Sequence, residues 1–258
     1  MNLPLSATDL SVWLGGYFLP FIRLSALFMA APIFGTQFIA IRVRILLSLL
    51  VTIIVAPLLP SIQPIDFLSS QGLLAIVQQL AIGLGMAFIL QMVFGAMVIA
   101  GQASAMTMGL GFALSVDPQN GVQVPVLSQF YMILATLIFL VLDLHLLTIR
   151  YLADSFLILP VDSAQLPAGL LMTVVAWATQ MFIGALLIAI PVMTSILLVN
   201  ITFGVITRVA PQLNIFAVGF PVTILAGFIV VLLVLPSFLP VFTELYTLAF
   251  EQILETLR

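Results

Sequence analysis

Cysteine and lysine are both absent from the 258 residues, and histidine occurs once, so several chemistries are closed at the outset. Without cysteine there is no disulfide framework, thiol nucleophile or cysteine metal cluster, although a chain with none fits either redox compartment. Without lysine, the six cations are all arginine, at positions 23, 42, 44, 150, 208 and 258. They form no basic stripe for phosphates and no polybasic segment for anionic headgroups, which argues against nucleic acid as a partner. A lone His145 cannot complete a zinc site, and no HExxH, GxSxG or GxxxxGK[ST] pattern is present, so metal, hydrolase and nucleotide-driven roles lack their residues. No metal and no cofactor is expected.

Charge is scarce as well. Only 6% of residues are charged and 64% are hydrophobic, against about 25% charged in soluble domains, so no water-facing surface can be built. The first basic residue, Arg23, already lies inside an apolar run, so the start MNLPLSATDL lacks the basic region of a cleaved signal and reads as mature.

What the chain does have is apolar runs. They cover residues 10–34 (with Ser6, Thr8 or Asp9 as candidate N-caps), 45–59, 73–101, 126–147, 168–209 and 216–238. A tail carrying Glu244, Glu251, Glu255 and Arg258 follows, with its charges on one helical face. Two linkers interrupt the pattern, a Gly, Ser, Asp, Pro and Asn-rich stretch at 101–125 and a second at 151–167. The class expected is therefore an all-α integral membrane protein. Several runs fit the bilayer poorly. Residues 45–59 would rise only about 22 Å, short of a hydrocarbon core of about 30 Å, while 73–101 overshoots it. Pro191 suggests a kinked pair or one bent helix within 168–209. The arginines show little loop asymmetry, so orientation stays open. Segments that miss the membrane thickness in both directions suggest cover by other protein chains, though tilt and local thinning can also absorb mismatch.

Three groups of residues could carry function. Small residues recur every four positions at Ala96, Ala100 and Ser104 and at Gly101, Ala105 and Gly109, a spacing that lets backbones approach within one chain or between subunits. The segment Met106, Thr107, Met108, Gly109, Leu110, Gly111, Phe112, Ala113, Leu114, Ser115, Val116, Asp117 joins glycine freedom to bulky, water-excluding side chains. It could plug a pore, or serve as a buried connecting loop. The stretch Arg208, Val209, Ala210, Pro211, Gln212, Leu213, Asn214, Ile215, Phe216, Ala217, Val218, Gly219, Phe220, Pro221 sets polar groups at a corner between apolar runs, as a hairpin tip at the membrane surface would. Arg23, Asp143 and His145 are read as buried charges with structural partners, Arg23 with a carboxylate of this chain or a neighbour.

The run MGLGFALSVDPQNG at 108–121, an apolar helix carrying Asp143 and His145, and then RVAPQLNIFAVGFP at 208–221 together resemble the FliR family of type III secretion export-gate subunits. The order and separation of these motifs agree over essentially the whole chain. The resemblance implies a non-enzymatic subunit of the flagellar protein export gate in the bacterial inner membrane, at the flagellar basal body. It implies FliP, FliQ and FlhB as partners, unfolded flagellar export substrates as cargo, and lipid around part of the assembly. It further implies bent helical hairpins, with a FliP-like portion over about 1–165 and a FliQ-like hairpin over 166–258. Residues 106–117 become the channel plug, with Phe112 its most obvious plug residue. Family members commonly show two adjacent histidines where this chain has His145 between leucines, which argues against a transport role for it. The alternative function is a small-solute secondary transporter with helices broken at Pro191 and Pro211, which would need inverted repeats that the sequence does not show.

Overall fold

The computed structural model describes residues 7–36, 39–59, 67, 69–112, 114–116, 123–161, 169–209 and 215–257. Eight helices dominate them: α1 (Ala7–Ala30), α2 (Ile41–Val55), α3 (Ser70–Thr107), α4 (Val126–Val141), α5 (Leu144–Ile158), α6 (Leu170–Ala176), α7 (Ala178–Val209) and α8 (Ile215–Leu257). Among the described residues the only strands are β1 (Leu114–Val116) and β2 (Gln123–Pro125), a short antiparallel pair in the register Leu114↔Pro125, Ser115↔Val124 and Val116↔Gln123. The all-helical membrane class expected from composition is therefore what the chain adopts. Among the described residues four helical segments are long and apolar enough to cross a membrane, and the pair α4 and α5 makes a fifth if its two pieces form one broken span.

Helices largely follow the apolar runs, with several departures from expectation, one of them the break between α4 and α5 inside the run 126–147. Residues 101–107 continue α3 instead of opening the central loop, because Gln, Ala, Ser and Met propagate a helix and Gly101 serves as a packing seat. Residues 151–158 continue α5, whose Leu152, Ser155 and Phe156 share a buried face. Pro191 lies within an unbroken α7, and the break in that region falls at Trp177 instead. The hydroxyls of Thr194 and Ser195 donate to the carbonyls of Ile190 and Pro191 at 2.8 Å, so they are satisfied inside their own helix.

The chain resolves into two compact units, each assembled from separate stretches. One contains residues 1–91, 143–177 and 248–258, and the other 92–142 and 178–247. In the first, a β-carbon on Gly83 would stand 2.8 Å from Cβ of Ala26 and closer still to the carbonyl of Arg23, so glycine is what lets α3 lie directly on α1. The rings of Tyr151 and Phe250 stack at 4.8 Å, and the hydroxyl of Thr256 donates to that of Thr173 at 3.1 Å.

The second unit is built round aromatic rings. Phe94 meets Phe139 and Phe242 edge-on at 5.6 and 5.4 Å, Tyr131 meets Phe238 at 5.3 Å, and Phe139 meets Tyr246 at 5.9 Å. The two small-residue stripes are spent here on packing within the chain. Ala96, Ala100, Ser104 and Ala105 are fully buried, and Gly101 lies against the backbone of Leu127 and Ser128 at the start of α4. Outside these cores the helices present large apolar side chains, among them Leu50 and Ile54 on α2, Leu187 and Leu198 on α7, and Leu225 and Leu233 on α8. Such surfaces belong in lipid or against other protein.

Candidate functional site: the end of α3 and its cleft

Within the second unit the two sequence motifs meet. Helix α3 terminates where the amide of Met108 donates to the Ser104 carbonyl at 3.1 Å and that of Gly109 to the Met106 carbonyl at 3.2 Å. Gly109 then takes φ of 81°, a left-handed conformation that closes helices and that a side chain would strain. A 3-10 turn, Leu110–Phe112, and strand β1 carry the backbone onward, and β2 returns it to α4. The segment expected to plug a pore is thus a helix end followed by a short hairpin.

The side chains at this helix end divide sharply. Met106 is 62% exposed and lies over Gly111, whereas Met108 is 0% exposed. Met108 is received by Gly227 of α8, where a β-carbon would come within 2.6 Å of its Cγ and 2.8 Å of its Sδ. In return Phe220 of α8 lays the edge of its ring on Gly109, whose β-carbon would meet Cε2 at 2.8 Å. Beside these contacts lies a partly open cleft of about 420 Å³. Met106, Met108 and Gly109 line it from α3 and the following turn, Asn200 and Phe203 from α7, and Gly219, Phe220 and Thr223 from α8.

The remaining site residues fall as follows. Ala113 and Asp117 of the plug segment lie outside the described residues, as do Pro211, Gln212 and Asn214 of the second motif. Phe112 and Leu114 are placed by their backbone in the 3-10 turn and β1, and Phe216 in the first turn of α8. Arg208 is exposed in the last turn of α7, Gly219 is buried, and Pro221 sits inside α8 on an exposed face. Sequence reasoning named Gly219 but missed Asn200, Phe203 and Thr223, since nothing local marks a residue that becomes a wall only on packing.

The three residues read as buried charges differ in their surroundings. Arg23 is fully buried, and its Nε donates to Gln79 Oε1 at 2.7 Å, Nη1 to Ser155 Oγ at 3.0 Å and Nη2 to the Leu159 carbonyl at 3.1 Å. The guanidinium also lies 4.2 Å over the ring of Phe156. Neutral acceptors and an aromatic face take the place of the expected carboxylate. Asp143 is exposed at the head of α5, in a left-handed conformation of φ 54°, and half-buried His145 follows it in the first turn. Ser155 is twelve residues further along α5, about 18 Å by helical rise, so neither residue reaches Arg23 through this helix. Among the described residues no three His, Asp or Glu side chains gather to hold a metal ion.

The fold and this site define a class: a polytopic helical membrane protein with an uncharged helix end seated in a cleft of mixed apolar and polar lining. Residues 14–249 match the family described as bacterial export proteins, family 1, and the chain belongs to that family. It is 36% identical to the flagellar biosynthetic protein FliR of Pectobacterium carotovorum subsp. carotovorum, over 99% of this chain and 97% of that one. It is 34% identical to the protein of the same name from Escherichia coli (strain K12), over 94% of each, and 30% identical to that of Bacillus subtilis (strain 168), over 91% and 92%.

Proposed function

We propose that this chain is a non-enzymatic subunit of the flagellar type III protein export gate, in the bacterial inner membrane at the flagellar basal body. In this reading it forms with FliP and FliQ, and with FlhB attached, the channel through which unfolded flagellar proteins pass. Residues 1–165 act as the FliP-like portion and 166–258 as the FliQ-like hairpin. The near-full-length likeness to proteins named FliR supports the assignment to export.

The plug role of residues 106–117 is supported by the seating of Met108 and Gly109 against α8, beside residues of the second motif. Residues 106–116 carry no charge, so they offer a permeating ion nothing to replace its hydration shell. Their glycines leave the backbone free to yield to a polypeptide. Deleting residues 108–112 is expected to leave the assembled complex intact and to make the membrane leak ions. Conductance measured on liposomes containing the purified complex tests this, and an intact complex with unchanged conductance would overturn the plug assignment.

A further inference from the structure

We propose that Met108 and Phe220 form a reciprocal latch that holds the end of α3 closed on α8 and must part when the segment opens; this rests on the plug reading above. Each side supplies one bulky side chain and one glycine. Met108 enters the space over Gly227, and Phe220 covers the space over Gly109. Phe220 and Gly227 are seven residues apart on α8, close to two full turns, so both contacts use one face of that helix. Thr223, between them on the same face, is 8% exposed and spends its hydroxyl on the Phe220 carbonyl at 2.9 Å. It therefore adds no polar tie across the contact.

Two features suit the contact to release. Met108 is unbranched and can withdraw through rotamers, and both contacts are between apolar groups. Gly109, in its left-handed conformation, is also where the backbone turns from α3 toward the hairpin. The latch thus sits directly beside the most permissive backbone position of the segment. A fixed packing contact would use the same side chains, so the test must ask whether the contact has to open.

The absence of native cysteine gives a clean test. A β-carbon at Gly227 would stand 2.6 Å from Cγ of Met108, which places the two β-carbons no more than about 4 Å apart, within reach of a disulfide, whose β-carbons stand about 3.5–4.5 Å apart. The pair Met108→Cys with Gly227→Cys, in the full chain within its assembled complex, is expected to crosslink on mild oxidation. Protein export should then be lost while the membrane stays sealed, and reduction should restore export. Failure to crosslink in an assembled complex, or normal export with the crosslink formed, would overturn the latch.

A second comparison covers a cysteine pair that does not assemble. Gly227→Ala alone should displace Met108 and make the membrane leak, and adding Met108→Ala should restore the seal. A double variant no better than Gly227→Ala would also overturn the latch. The plug reading fails separately, by an unchanged conductance on deleting residues 108–112.

Discussion

Arg23→Ala is expected to destabilise the protein by about 3–5 kcal/mol, and Arg23→Met by less, the difference being the cavity. The alanine variant removes the donors that satisfy Gln79 Oε1 and the Leu159 carbonyl and leaves a void beside Phe156. Each buried polar group left without a partner costs about 1–3 kcal/mol, and the cavity adds to that. Methionine fills most of the volume and so avoids most of the cavity cost, while it leaves the same two acceptors unpaired. Lysine should fall near alanine. It keeps the charge, but three donors on a flexible stem cannot reproduce a planar fork that reaches Gln79, Ser155, the Leu159 carbonyl and a ring at once. Thermal unfolding of the purified protein in detergent gives the ranking. A lysine variant close to wild type beside a methionine variant as weak as alanine would mean that the charge itself, and not the hydrogen-bonding frame, is what the site requires.

Gly101→Ala is expected to cost more than the about 1–3 kcal/mol usual for an overpacked core, a large effect for one added methyl group. That β-carbon would lie 2.5 Å from Cα and 2.8 Å from the amide nitrogen of Ser128, and 3.0 Å from the Leu127 carbonyl. All three are backbone atoms, so no side chain can rotate away, and α3 and α4 would have to separate. Gly16→Ala is the control of opposite sign. Nothing lies within 4 Å of its β-carbon, so the change should gain about 0.5–1 kcal/mol from helix propensity alone. The same unfolding measurement reads both, and equal effects at the two positions would refute the close approach at Gly101.

These two residues also show what was legible in the sequence. The stripe containing Gly101 was visible as a spacing, and its use in helix packing follows from the small size of its members. The same residues suggested that the helix ends at 101, because glycine and serine also punctuate loops, and periodicity alone does not separate a seat from a stop. Arg23 stood out as a cation in an apolar run, but its partners at 79, 155 and 159 are distant in sequence and carry no charge pattern. The break between α4 and α5 has no glycine or proline. It depends on Asp143 adopting a left-handed conformation, which aspartate tolerates but does not announce. Both motifs of the candidate site were readable as segments, whereas the seating of Met108 on Gly227 joins positions 119 apart and needed the fold.

Helix α8 has 43 residues, about 64 Å of helical rise along its path. The exposed Glu244, Glu251 and Glu255 keep its C-terminal part out of a hydrocarbon layer of about 30 Å, while the uncharged stretch 215–243, about 43 Å by helical rise, is longer than that layer. Lipid therefore bounds this helix at one end and leaves its depth loose at the other. Within that slack its height relative to the membrane plane has to be fixed by contacts along its own length, and a bilayer made thicker or thinner should slide past α8 before it bends it.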